Sequence, residues 1–322
     1  MWKKLLSSGY AVCDRVLAPI LDKTLPSPSP FEVALIKELR ANILSLAPPA
    51  VQSPQNAEDL WLTFARRLRE LTLKSDPRQF LRWDVIKRTM FADGLYITKE
   101  LRHLRGRPDW QSRWEEAVAE DAAGYPKLLV FYPRSSGNLI HHAYHWSLFE
   151  EKIAKILPKL NVIFEFGGGY GSMCRLLVCN LKYRGKYLIF DLPEYAALQQ
   201  YYLKSLNLPY CPPETFNLVN GAITCIADFD QLREMLQGAG ANALFIGMWS
   251  ISETPVAFRE RLLALAASFD YFLLAFADNF SGVDNIAFFQ EWRRRHREVG
   301  WLDWEIGHLP GNRYLMGARI RR

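Results

Sequence analysis

No apolar run in the chain approaches the ~18 residues that a membrane-spanning helix needs, so no segment reads as one. Cysteine is sparse, with five in 322 residues at positions 13, 174, 179, 211 and 225, and no Cys-x-x-Cys pair. An odd number at those spacings argues against a disulfide framework and against structural zinc, and a reducing cytoplasm is the expected setting. Internal repeats and long low-complexity tracts are absent, which argues against solenoids and arrays. A signal peptide is not expected either. The start, MWKKLL, is basic, but Asp14 and Arg15 interrupt what would be its apolar core. Apolar residues from Leu5 to Leu21 approximate helical spacing, so packing on the rest of the protein is expected, with a weak peripheral membrane contact as the second use.

The composition that remains is ordinary for a globular protein, at 49% hydrophobic and 23% charged. The length suggests one large or two smaller domains. The net charge of +6 sits in local runs: Arg66-Arg67-x-Arg69, then residues 102–107, 293–297 and 319–322. Such runs are usually solvated faces or termini. The competing reading is attraction to an anionic partner such as a nucleotide sugar, phospholipid or RNA. No phosphate-tracking or base-stacking module is recognisable, so nucleic acid is not the expected partner.

Residues 22–30, DKTLPSPSP, read as a linker. Helical patterns follow over 31–46, 57–73 (with Asn56 as a cap), 77–90, 96–104 and 109–120. No series of parallel strands appears there. Residues 1–125 are therefore expected to form a helical accessory region that caps an acceptor site or mediates oligomerisation, and residues 126–322 the second domain. Ser135-Ser136-Gly137-Asn138 caps a further helix expected to run to about residue 157. Three of the six histidines lie within five positions of that helix. His141 and His145 are four apart and share a face. Imidazoles merely satisfied by neighbours are one reading. A base or substrate contact is another, because an imidazole titrates near neutrality.

The most informative stretch is VIFEFGGGYGSMCRLLVCNLKYRGKYLIFDLPE, residues 162–194. A short apolar strand leads to Glu165 and glycines at 167, 168, 169 and 171. A helix over 173–181 and a strand over 187–190 follow, closed by Asp191. Glycine lets the backbone turn sharply and lets a ligand approach without a Cβ in the way. A dinucleotide fingerprint begun at Gly167 would need glycine or alanine at 172, where Ser172 stands. After Asp191 the expectations are a helix through 202–206, a strand within 216–226, a helix over 228–236, and strands over 243–248 and 271–277. Residues 304–319, with turn Pro310-Gly311-Asn312, read as a hairpin. Ligands lie beyond the carboxyl ends of strands in an open α/β sheet. That rule gathers Glu165, Asp191, Trp249, Ser250, Ser252, Glu253, Asp278 and Asn279 on one edge.

Glu-x-Gly-x-Gly-x-Gly at 165–171, followed by Asp191, resembles the first motif of class I S-adenosylmethionine (SAM) methyltransferases. Together with IFDLPE, WSISE, DNFSGVDN and HLPGNRYLMG, it resembles the sugar O-methyltransferase family of surface-polysaccharide biosynthesis. The resemblance implies a Rossmann-like α/β sheet, mostly parallel with an antiparallel terminal hairpin, preceded by a helical region. It implies SAM as cofactor, with Glu165, Gly167, Gly169 and Gly171 lining its methionine end and Asp191 holding the ribose. A sugar or glycan hydroxyl is the implied acceptor, and Glu253, then His145 and His141, are the candidates for the base. Mg²⁺ is not expected: Asp278-Asn279 resembles half of a metal arrangement, but Trp249-Ser250 stands where its partner aspartate belongs, and no metal ligand is assigned. The alternatives are a methyltransferase acting on another small molecule or RNA, a nicotinamide enzyme of nucleotide sugars (disfavoured by the glycine spacing), and a SAM-binding partner without turnover.

Overall fold

A computed structural model describes residues 25–49, 57–90, 92, 95–237 and 241–320. The amino-terminal segment expected to pack as a helix or touch a membrane, Cys13, and Asn56 as a helix cap lie outside them. Seven strands form one sheet: β1 (Val162–Phe166), β2 (Lys186–Phe190), β3 (Ile223–Ile226), β4 (Ala243–Met248), β5 (Tyr271–Ala277), β6 (Val299–Glu305) and β7 (Asn312–Arg319). Their order is β6-β7-β5-β4-β1-β2-β3. β1 pairs in parallel with both β2 and β4, whereas β7 runs antiparallel to β5 and β6. This is the mostly parallel Rossmann-like sheet with an antiparallel terminal hairpin expected from the sequence. The strand order reverses between β1 and β4, and a crevice opens at such a point in a doubly wound sheet.

The near-unbroken apolar strands follow from burial on both sides. Ile163, Ile189, Leu244 and Leu273 face one layer, and Phe164, Leu188, Phe245 and Phe272 the other. The hairpin starts at Val299, earlier than expected, with Trp301 packed on Phe272 and Trp292.

Amino-terminal to the sheet lie α1 (Pro30–Ser45), α2 (Ala57–Lys74), α3 (Asp84–Met90), α4 (Ile97–Arg105) and α5 (Gly137–Lys152). Ser29 and Glu32 close α1 with a capping box, and Pro30 fills its first turn. The single helix expected over 77–90 is broken at Trp83, which is extended. Asp76 accepts hydrogen bonds from the Arg78 backbone and guanidinium and stabilises a 3₁₀ turn, Pro77–Arg82, before α3. α5 stops at Lys152, short of expectation, with Ile153 as its C-cap donating to Phe149 O. Within and after the strands come α6 (Ser172–Arg175), continued as a π-helical turn, then α7 (Pro193–Ser205), α8 (Phe229–Leu236), α9 (Val256–Leu265) and α10 (Asn285–Arg295). α8, α9 and α10 cover one sheet face. On the other face one core runs without interruption from Leu35 and Leu68 through Phe80, Leu104 and Trp146 to Leu244 and Met316.

The loop after β4 is fixed by a buried cation. Arg259 of α9 is 1% exposed. Its guanidinium donates to Ser252 O, Thr254 O and Asn285 Oδ1, each at 2.6 Å. Burial lowers its pKa to about 10. With only neutral acceptors around it, the side chain works as a three-way clamp between loop and α10. Arg259→Met leaves those acceptors unsatisfied, and urea unfolding should show a loss of at least about 2 kcal/mol.

Candidate functional site

The glycine turn follows β1 directly. Gly167, Gly169 and Gly171 have φ of 69°, 61° and 94°, in the left-handed region that glycine enters without strain. A Cβ on Gly167 would lie 2.3 Å from Cβ of Ser250, so the loop after β4 sits against bare backbone. Ser250 Oγ donates to Phe166 O at 2.5 Å and locks that contact. Met90, at the end of α3, covers Gly169.

Two carboxyl groups flank the turn. Glu165 is 4% exposed and accepts a 2.7 Å hydrogen bond from the Tyr187 hydroxyl. Asp191 accepts from Gly169 N at 3.1 Å, Leu192 N at 2.8 Å and Gln199 Nε2 at 2.8 Å. Burial pushes each up to about 7, against the pull of these donors. No cation pairs with either among the described residues. Gln199 also donates to Gly169 O at 2.9 Å, and its own carbonyl oxygen is buried without a partner. Two closely held acids without a counter-charge make a cradle that suits a cationic ligand.

One residue before Ser250, Trp249 reaches a second cluster. Its φ of 64° is rare for a bulky side chain. Its indole donates to Asn312 Oδ1 at 2.6 Å and stacks on His141 with centroids 5.6 Å apart. His141 Nδ1 lies 2.9 Å from both oxygens of Glu100, a fully buried carboxylate on α4. His308, in the β6–β7 turn, places Nε2 2.7 Å from the same group. Burial alone would raise Glu100, but the two imidazoles outweigh it and hold the carboxyl below its ordinary value. His145 is wholly buried, pushed well down by burial, and hydrogen-bonded through Nδ1 to the Tyr314 hydroxyl. His142 is lowered to about 3 by burial.

The structure therefore gathers Glu165, Gly167, Gly169, Gly171 and Asp191 into one cradle, and His141 and His145 into the cluster beside it. Glu253 stands apart from the imidazoles. It is bonded to Trp61 of α2 and pushed up to about 7 by burial. Asp278 keeps one carboxylate oxygen buried and unpaired, while Asn279 is exposed. Among the described residues no three His, Cys, Asp or Glu side chains converge as metal ligands. Glu100, His308, Gln199 and Tyr314 were not candidates from sequence. Glu100 looked like an ordinary charge in the helix ITKELRHLR, and only the fold reveals that it faces inward. A surface depression of about 770 Å³ opens at the opposite edge beside Val162 and Lys186. The cradle, covered by Met90, lies at the carboxyl edge.

No family model and no curated protein sequence matches the chain. Some solved structures are similar at low identity. The N-terminal domain of human METTL16 in complex with SAH is 12% identical, over 72% of this chain and 99% of that one, with a TM-score of 0.40. Magnesium protoporphyrin IX methyltransferase (ChlM) from Synechocystis PCC 6803, with bound SAM, is 13% identical over 70% and 99%, with a TM-score of 0.39. The mitomycin 7-O-methyltransferase MmcR is 12% identical over 97% and 99%, with a TM-score of 0.38. Likeness at this level carries no assignment of ligand or acceptor to this chain.

Gly167→Ala should destabilise the protein by about 2–3 kcal/mol, through overpacking and backbone strain together. Ser250→Gly in the same chain should recover part of that loss. A double-mutant cycle in urea reads the coupling, and no recovery would mean that the two residues do not press on each other.

Proposed function

We propose that the protein is a SAM-dependent O-methyltransferase acting on a sugar hydroxyl. The observation that carries the cofactor is the pair of buried, cation-free carboxyls, Glu165 and Asp191, flanking a glycine turn where the strand order reverses. SAM is cationic at its ammonium and sulfonium and carries a ribose diol. Glu165 would hold the ammonium, Asp191 the diol, and the turn at 167–171 the methionine backbone. The half-buried rings of Phe229 and Phe258, beside Phe190, offer the adenine an aromatic surface. Bound there, SAM supplies an electrophilic methyl group.

The chain's own contribution is positioning and one proton. His141 is the base in this reading. Glu100 accepts from its Nδ1 and so fixes the tautomer that leaves Nε2 able to take the hydroxyl proton. Trp249 holds the imidazole by stacking, and His308 shares the carboxylate from the turn. His145, neutral and enclosed, packs beneath. Glu253 is further from this arrangement and is the second candidate. Helices α1–α4 act as a cap that supplies Glu100 and closes the cradle through Met90. The sugar comes from the sequence resemblance, with an aromatic lining of Trp249 and Tyr96 that a pyranose face fits.

Calorimetry tests the cofactor. SAM binding requires both carboxylates ionised, so its affinity should rise with pH through about 7 and be about a hundredfold weaker at pH 6 than at pH 8, about tenfold for each carboxyl. The unliganded protein has the opposite trend. A carboxyl raised to about 7 costs stability above that pH and nothing below its unfolded value, so SAM should raise Tm more at pH 8 than at pH 6. Asp191→Ala should lower SAM affinity by about 10–100-fold. With methyl-labelled SAM and a panel of glycan precursors, His141→Ala should lower kcat by about 10²–10⁴ and leave SAM affinity intact. Glu253→Gln should retain turnover, and its loss would move the base to Glu253.

A further inference from the structure

On helix α4 the inward stripe Ile97, Glu100, Leu101 and Leu104 is buried, and the adjoining stripe is Lys99, Arg102, His103 and Gly106. With Arg107, Pro108 and Glu151, that second stripe lines an open depression of about 630 Å³. Lys99 and Arg102 are exposed and have no carboxylate partner among the described residues. The lone acid, Glu151, bonds Lys152 at 2.8 Å and lies 3.8 Å from His103 and 4.0 Å from Arg107. Arg107 is oriented by Asp109 and Ser147 O, and His103 Nε2 is buried without a hydrogen bond. Burial lowers the His103 pKa, so the positive charge of this surface comes from Lys99, Arg102 and Arg107.

Its position gives it a use. His103 meets Tyr144 edge-on at 5.0 Å, and Tyr144 meets His308 edge-on at 5.4 Å. One aromatic ring therefore separates the basic depression from the Glu100–His141–His308 cluster. A pyranose bearing a phosphoryl group can cover that span. Lysine and arginine are the side chains that recognise phosphate oxygens, and arginine does so with a planar fork.

We propose that Lys99, Arg102, His103 and Arg107 bind a diphosphate carried by the acceptor, which makes the acceptor a glycosyl diphosphate. The proposal rests on the methyltransferase reading given above and narrows its substrate. Arg102 and Lys99 engage the phosphoryl oxygens, and Tyr144 forms the wall over which the sugar passes toward His141.

Calorimetry of the full chain with inorganic pyrophosphate tests this directly. The wild type should show one saturable site, and Lys99→Glu/Arg102→Glu should weaken it at least tenfold. A charge reversal elsewhere, Arg294→Glu/Arg295→Glu, should leave it unchanged. Melting curves confirm that both variants fold, which exposed positions favour. Absence of saturable binding to the wild type, or equal weakening in both variants, overturns the proposal. Competition by a nucleotide diphosphosugar assigns a soluble acceptor, and competition by a polyprenyl diphosphosugar in micelles a lipid-linked one. If neither competes, the proposal fails. SAM titration of the same samples reads the methyltransferase reading separately, because Lys99 and Arg102 are remote from the cradle.

Discussion

The close contact between Ser250 and the missing side chain of Gly167 governs the arrangement of the whole carboxyl edge. It brings the loops after β1 and β4 together across the point where the strand order reverses. Once Ser250 is seated, Trp249 must turn back with a positive φ, and its indole then lies on His141. Arg259 holds the far side of the same loop by three backbone and side-chain acceptors. One steric constraint thus connects the glycine turn to the imidazole cluster through two consecutive residues. The strained backbone at Trp249 persists because neighbours on both sides over-determine it.

The electrostatics divide along the same line. Glu165 and Asp191 are buried without cations, and both are raised to about 7. Glu100 is equally buried but meets two imidazoles and is lowered instead. Burial is common to all three carboxyls, so the partner decides the sign. The first pair meets no positive charge among the described residues, and the third holds two imidazoles.

Local pattern made much of this legible. The apolar strands, the glycine turn and Asp191 lie within one continuous stretch, whose pattern showed a strand, turn, helix and strand in that order. α1 and α8 were expected from their helical patterns, and the structure adds their caps at Ser29 and Asp228. What local pattern could not show is convergence. Glu100 and His308 are 208 positions apart in sequence, and neither has a neighbour that marks it. Glu253 looked favourable because it follows β4, yet the 3₁₀ turn at Ser250–Glu253 carries it toward Trp61. The break at Trp83 was hidden because Asp76-Pro77 begins a helix as readily as a 3₁₀ turn. The helices α9 and α10 were missed since their apolar residues serve a sheet face rich in phenylalanine, with little amphipathic contrast.

The placement of Glu100 has a consequence for descent. The carboxylate bonded to His141 comes from the helical half of the chain, while the glycine turn and its two acids come from strands and their turns, with Met90 of α3 and Gln199 of α7 packed on them. Under the methyltransferase proposal, substitutions among the helices would retune proton handling through Glu100 while leaving in place the two carboxyls proposed to hold the cofactor. Because one apolar interior joins the two halves, such drift is confined to outward-facing positions, and the helices cannot be exchanged wholesale as a detachable module.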